Sequence, residues 1–460
     1  MAGAELRDSG WGWVEMLRAI VLAAGKSTRM KTALPKVLHE ICGRPLLWYV
    51  LTALRAAGIE DIYVVTNPQL HERIGEFGVE GILQPEPLGT GHAVQIALQK
   101  LSDDNDGQIL IACGDMPLVQ AELFRGLVAS LRSDQRTALA LVTAKMSLPS
   151  NFGRVIRHGT QVQRIVEASD ATADELLIDE MNAGIYAFDE AILREAIAAL
   201  RNDNAQGEYY LTDTVDALAQ KGEKIVPVIA GDHLHVLGIN DRVELARARS
   251  EMNRRLCEQH MRDGVTIVDP DTTYLEPELT LGRDSVIYPN TTIARLSRVG
   301  ERCAIGPNTR LSAAELGAGV TVQNSVIFDS TLGDEVSIGP FAHIRGNARL
   351  ERGVHIGNFV EVKNSHLAAG VKASHLSYIG DATIGERTNI GAGTITCNFD
   401  GQKKNRTTIG KDVSIGSNTS LVAPVTVGDA ALTGASSVVT KDVRAGERVA
   451  GNPARPLPKK

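Results

Sequence analysis

The stretch Val21–Lys36, VLAAGKSTRMKTALPK, sets a glycine and four basic side chains (Lys26, Arg29, Lys31 and Lys36) directly after a short apolar run. Backbone N–H groups from Gly25 onward, with these cations beside them, can wrap a chain of phosphates. The letters fit neither common phosphate loop. A Walker loop needs a second glycine where Ile20 stands, and a Rossmann turn needs three glycines where Gly25 is alone. Solvated surface charge is the other reading of any single cation here, but several of them beside a strand end, with Pro35 fixing the approach of Lys36, point to phosphate. Farther on, Asp115 in CGDMPL follows an apolar run, a usual place for a carboxylate that binds Mg2+, although it could also cap a helix over PLVQAELF. Asn240 in LGIN is a second oxygen ligand or the cap of the helix after it.

These groups need elements to hold them. At 460 residues the chain exceeds what one core supports, so two or three domains are expected. From about 18 to 240, apolar strands (RAIVLAA, DIYVVTN, GQILIACGD) alternate with helices over 45–57 and 90–100, which predicts a parallel sheet covered on both faces, a doubly wound α/β domain. Ligands of such sheets sit outside the carboxyl ends of the strands, where both the basic loop and Asp115 begin. Leu245, Met252 and Leu256 at helical spacing, stopped by Gly264, predict a connecting helix.

After Gly264 the period becomes six. Leu281, Ile287, Ile293, Val299, Ile305 and Leu311 are in register, as are Leu332 to Val362 and Ile409 to Val439. An aliphatic residue at nearly every sixth position, often followed by glycine, is the hexapeptide repeat of a parallel β-helix, with the aliphatic residue inward and glycine or asparagine turning the corner. The register is lost at one place that matters, between Ile390 and Ile409, which pushes CNFDGQKKN out as a loop. The expected domains are therefore 16–240, a helical linker over 241–263 and a β-helix over 264–460.

Composition narrows the function classes. A net charge of −7 argues against a general nucleic-acid or anionic-membrane binder, so any phosphate is bound locally. The five cysteines are widely spaced and never form C-x-x-C, which indicates neither a disulfide framework nor a zinc site and suits a reducing cytosol. No run reaches membrane-spanning length, and residues 1–15 carry acidic groups where a signal peptide would be basic and then apolar; without periodicity, they read as a leader or as the product of a misplaced start, outside the fold. In the β-helix, Arg345 and Lys363 stand 18 residues apart, one coil turn, and should stack as a phosphate clamp or as an exposed basic ladder. His343, His355, His366 and His375 all fall in the same stretch, so imidazole alone singles out none of them.

LAAGKSTRM, LPK, LQPEPLGTGHA, CGDMPL, NFGRV, IVEASDA, MNAGIYAF and NAQGEYYLTD, in that order, resemble the sugar-1-phosphate nucleotidylyltransferases. The closer resemblance is to the bifunctional family that joins an N-acetylglucosamine-1-phosphate uridylyltransferase to a glucosamine-1-phosphate N-acetyltransferase, and it runs from about 18 to 450. It implies a Rossmann-like nucleotidyltransferase sheet followed by a left-handed parallel β-helix, three hexapeptides per turn, assembled as a homotrimer in the bacterial cytoplasm. It implies that Leu22, Ala23, Ala24 and Gly25 contact the nucleotide and that Gln84, Gly89 and Thr90 read uracil. Arg29 and Lys36 would hold the phosphates, Asp115 and Asn240 Mg2+, and Gly153, Glu167 and Asn182 the sugar. In the β-helix, His375 is the implied base, with Arg345, Lys363, Tyr378 and Asn389 binding glucosamine 1-phosphate. Ala392, Asn398, Phe399, Ser417 and Ala435 would line the acetyl-CoA site, built between subunits. The chain departs from the family at Cys113, where relatives commonly carry a larger residue, at Phe399, where they usually carry tyrosine, and at Asn452, where they often carry arginine. Two other readings compete: a nucleotidylyltransferase whose β-helix only trimerises or regulates, and a non-catalytic sugar-nucleotide scaffold.

Overall fold

The structure is a computed structural model that describes residues 16–25, 27–101, 107–134, 136–148 and 150–457, so Lys26 and the segment 1–15 lie outside the described residues. The chain divides into two compact units, Met1–Arg249 and Ser250–Lys460. A helix, Arg242–Arg262, crosses that division.

The first unit is built on a sheet whose strands lie in the order Lys224–Ile229, Thr137–Lys145, Glu180–Asp189, Gly107–Cys113, Met16–Ala23, Asp61–Thr66 and Glu80–Leu83. Successive residues of Met16–Ala23 serve opposite cores: Ala19 and Val21 pack with Leu47, Leu51 and Phe124, while Ile20 packs with Val94, Leu98 and Leu193. This is why the strand is apolar from Ala19 to Ala23 instead of alternating, with Arg18 before it buried against Glu190. The expected parallel sheet is altered at one strand. Glu180–Asp189 runs antiparallel to both neighbours, because the chain reaches it from the hairpin Arg154–His158 and Gln161–Val166 and not through a helical crossover. Met16–Ala23 and Gly107–Cys113 lie side by side and parallel, with Leu22 opposite Cys113, so their carboxyl ends open on the same edge.

The second unit is a parallel β-helix. Short strands stack in register from coil to coil, as in Ile338↔Ile356, Ile344↔Val362 and Leu350↔Leu367, and their aliphatic side chains form one continuous buried core. Gly306 (φ 107°), Gly339 (φ 106°), Asn308 and Asn324 turn corners at positive φ as expected, but other hexapeptide glycines do different work. A Cβ on Gly357 would meet the Ser374 carbonyl oxygen at 1.9 Å, so this glycine lets successive coils approach. Many corners are turned by other residues at positive φ, Phe341 (62°), Phe359 (55°) and Leu376 (46°) among them. That conformation is unfavourable for such side chains, but the coil below holds two of these corners: Phe341 N–H donates to Asn324 O and Leu376 N–H to Asn358 O. The register break inserts residues 398–406, after which pairing resumes at Ala382↔Thr407 and Ile384↔Ile409.

Deleting one rung should expose the dependence on this stack. Ile356→Ala, at a fully buried rung, is expected to destabilise the second unit by about 2–5 kcal/mol in equilibrium denaturation.

Candidate functional sites

At the open edge of the first sheet, the turn after Met16–Ala23 brings Leu22, Ala23, Ala24 and Gly25 onto a cavity of about 300 Å³ that Lys36, Gln84, Gly89, Thr90 and Asp115 also line. Ser27, in the left-handed conformation, fixes the loop: its hydroxyl donates to Gly25 O at 3.3 Å and accepts from Lys36 N–H at 3.0 Å. Gln84 is buried, its amide against His92 Nδ1 at 3.0 Å and Gly89 O at 3.3 Å, and Thr90 Oγ1 accepts from Leu211 N–H at 3.0 Å. Gly89 and Gly91 are required by close approach, since a Cβ on either would meet the Tyr209 carbonyl oxygen at 2.5 and 3.0 Å respectively.

Residues from three separate segments of the chain converge here. The Lys36 ammonium pairs with Asp115 Oδ2 and donates to Asn240 Oδ1 at 3.1 Å, and Arg29 donates to the same oxygen at 2.9 Å. Ile239 N–H donates to Asp115 O at 3.0 Å, tying Asn240 to the aspartate backbone. One carboxylate and one amide oxygen facing a common cation are hard donors, and they fit Mg2+ provided substrate phosphates complete its coordination. No group of three or more His, Cys, Asp or Glu suited to a metal occurs among the described residues.

A second cavity of about 220 Å³ shares Leu22, Thr90, Cys113 and Asp115 with the first and continues past Gly153, Glu167, Asn182, Tyr186 and Thr212. Burial pushes the Glu167 carboxyl up, with the Asp213 and Asp170 charges adding to that effect and the Thr212 hydroxyl, 3.1 Å from Oε1, opposing it. Glu167 also packs over Gly153, where a Cβ would meet Oε2 at 3.4 Å. Burial, then the Asp115 charge, pushes the Cys113 thiol up to about 12, so it stays protonated and serves as a wall and not as a nucleophile. Thr212 and Tyr186 were not singled out from sequence; only their positions in YYLTD and GIYAF mark them.

In the second unit Arg345 lies opposite Lys363 in the ladder, as the 18-residue spacing requires. Neither is a bare surface cation. Arg345 pairs with Glu361 at 2.6 Å and Lys363 with Asp381 at 3.5 Å, the latter pair only 15% and 10% exposed. Asp381 also accepts from Asn364 and Asn398 at 2.5 Å each; burial acts to raise its pKa, but these donors and the Lys363 charge outweigh it and hold the carboxyl below its ordinary value. Asn398 reaches the Tyr378 hydroxyl at 3.3 Å, and a Cβ on Gly380 would strike that hydroxyl at 2.4 Å. Lys404, from the inserted loop, lies beside Lys363, and the proximity of that second ammonium pushes its pKa down. Lys404 completes a group of three cations with Arg345 and Lys363. The basic pair in GQKKN was its only trace in the sequence.

The four histidines now differ. His355 is bonded to Ser337 Oγ at 2.7 Å, His366 to Glu351 at 2.7 Å, and His343 packs edge-on against Phe328. His375 is exposed and its Nδ1 lies 2.6 Å from Asn358 Oδ1, an oxygen that can only accept. The proton is therefore on Nδ1, and the Nε2 lone pair has no protein partner among the described residues. Ala392, Ser417 and Ala435 follow the stacked glycines Gly391, Gly416 and Gly434 and so line up on one edge of successive coils. Phe399 is exposed in the loop, paired with Lys404, and Asn389 is exposed on the strand opposite Lys372.

Residues 19–265 match the family of MobA-like NTP transferase domains. Residues 329–364 match the bacterial transferase hexapeptide repeats, and 406–441 the hexapeptide repeat of succinyl-transferase. The chain is 43% identical over 434 residues to the bifunctional protein GlmU of Streptomyces avermitilis, covering 93% of this chain and 90% of that one. It is 44% identical over 429 residues to GlmU of Halalkalibacterium halodurans (92% and 94% covered) and 44% over 431 residues to GlmU of Clostridium perfringens (93% and 94%).

The acidic rim beyond Glu167 carries a pH signature. Burial, reinforced by Asp216 and Asp170, raises Asp213 from 3.8 to about 6. A carboxyl raised in the folded state favours folding while protonated and loses that contribution as pH climbs from about 4 to 6. Asp213→Asn should therefore raise the thermal midpoint of the first unit at pH 8, by about 2–4 °C once half-exposure is discounted, and leave it unchanged near pH 4. Differential scanning at the two pH values tests this.

Proposed function

The chain belongs to the family of bifunctional GlmU proteins, and we propose that it makes UDP-N-acetylglucosamine in two steps, one in each unit. What carries this reading is that one chain holds two separately built anion sites of different chemistry. One ends in an oxygen pair with cations. The other couples three cations to an imidazole with an open Nε2.

In the second unit, glucosamine 1-phosphate would place its phosphate on Arg345, Lys363 and Lys404, with Tyr378 and Asn389 along the sugar. Its amine attacks the thioester carbonyl of acetyl-CoA, the new C–N bond replaces the C–S bond, and CoA leaves as the thiol. His375 Nε2 takes the amine proton, and Asn358 holds the ring in the tautomer that permits this. Ala392, Asn398, Phe399, Ser417 and Ala435 would bear on acetyl-CoA. The product, N-acetylglucosamine 1-phosphate, then attacks the α-phosphate of UTP in the first unit, and the bond to pyrophosphate breaks. A phosphate monoester is largely dianionic at neutral pH, so no base is needed, and the residues have to align and neutralise. Leu22, Ala23, Ala24, Gly25, Gln84, Gly89 and Thr90 would seat the nucleotide, Gly153, Glu167 and Asn182 the sugar, and Arg29 and Lys36 the phosphates. Asp115 and Asn240 would hold Mg2+, which when bound neutralises charge on the phosphates.

We further propose a homotrimer. Phe341 and Phe359, stacked at 5.3 Å, and Leu376 are each more than half exposed and form an apolar stripe at the corner beside His375, which a second copy would cover. No helix among the described residues is long and apolar enough to cross a membrane, and a cytoplasmic location suits the substrates.

Activity of single-site variants tests the division of labour. His375→Ala should cut thiol release from glucosamine 1-phosphate and acetyl-CoA by at least about 100-fold while pyrophosphate release from UTP persists; Asp115→Ala should do the reverse. Thiol release by His375→Ala at the wild-type rate would sink the assignment.

A further inference from the structure

The acceptor-sugar cavity contains two hydrogen-bond donors that the protein itself does not use. In the strand Glu180–Asp189 the register shifts between Asn182 and Tyr186, around Gly184 at φ 71°, and the Asn182 side chain folds back there. Gly184 N–H donates to Asn182 Oδ1 at 3.1 Å, which fixes which end of the amide is oxygen. Asn182 Nδ2 then donates to the Tyr186 hydroxyl oxygen at 2.7 Å. This uses one amide hydrogen and leaves the other, and it leaves the hydroxyl hydrogen of Tyr186. Neither has an acceptor among the described residues. Tyr186 is 2% exposed and Asn182 8%, and both line the cavity of about 220 Å³, so water reaches neither freely.

We propose that Tyr186 is a specificity-determining residue of uridylyl transfer: together with Asn182 it presents a pair of donors to the acetamido carbonyl of the acceptor sugar. This rests on the two-step reading above. A carbonyl oxygen only accepts, and it satisfies both donors at once. The free amine of glucosamine 1-phosphate is protonated near neutral pH and offers hydrogens only, so it would leave both donors unpaired in a buried site. A site built to bond one group rejects the analogue lacking it far more strongly than an apolar pocket does. Elsewhere in the cavity Glu167 supplies the complementary acceptor for sugar hydroxyls. The consequence is an order of events. Acetyl transfer has to come first, because the first unit recognises what the second unit adds.

Tyr186→Phe removes the hydroxyl and keeps the ring. With the full-length protein, kcat/KM for uridylyl transfer to N-acetylglucosamine 1-phosphate should fall about 10-fold, while the low value for glucosamine 1-phosphate changes less than about 3-fold, so the preference narrows. KM for UTP should be unchanged, which reports an intact nucleotide cavity. Asn182→Asp, replacing a donor with an acceptor, should shift the preference further towards the free amine. The proposal is overturned if both sugars lose equally in Tyr186→Phe, or if the preference stays at the wild-type value in both variants. Failure of the wild-type protein to use either sugar phosphate would instead remove the two-step reading itself, and this inference with it.

Discussion

Parallel pairing of strands places the chemistry in both units. In a parallel pair all strands point the same way, so their carboxyl ends share an edge, and residues in register sit side by side however distant they are in sequence. In the first unit this puts the loop after Ala23 next to the turn after Cys113, and the basic segment thereby meets Asp115. In the second it sets Arg345 on Lys363 and Asn358 on His375. The β-helix accepts strained corners in return, at residues such as Phe359 and Leu376, because the ladder bonds on either side leave the backbone no alternative.

Both sites solve the same electrostatic problem in the same way. A chain with net charge −7 has no broad positive surface to attract phosphates, so it gathers cations locally. Cations brought together in a partly buried place repel one another and lose hydration. Each group is accordingly interleaved with oxygen: Lys36 and Arg29 with Asp115 and Asn240, Arg345 with Glu361, and Lys363 with Asp381. The cations are thus held in place beforehand, and on the proposed reading a phosphate would exchange partners with them instead of having to order flexible side chains.

Polar groups that the protein leaves open are as informative as those it pairs. Among four histidines in one stretch, His375 alone is exposed, and its bonded nitrogen faces the acceptor-only Asn358 Oδ1, so the tautomer leaves Nε2 open to solvent. Among the buried groups of the cavity beside Glu167, Thr212 donates to Glu167, whereas Asn182 and Tyr186 bond each other and still retain hydrogens to give.

The sequence by itself determined what is local or periodic. Apolar runs alternating with helices, the period of six after Gly264, the lost register before Ile409 and the ordered motifs around Gly25, Asp115 and His375 were all readable, because they follow from the repeat of side chains along a strand or helix. Periodicity did not reveal that Glu180–Asp189 runs antiparallel, that Gly357 admits a neighbouring coil instead of turning a corner, or that Lys404 returns to Lys363 across the inserted loop. Nor did it reveal which acids accompany Arg345 and Lys363, or that Asn182 leans on Tyr186. Only the tertiary structure decided these, since each is a contact between residues whose meeting depends on strand direction, coil register and the path of a loop, and none of the three is written in a local period.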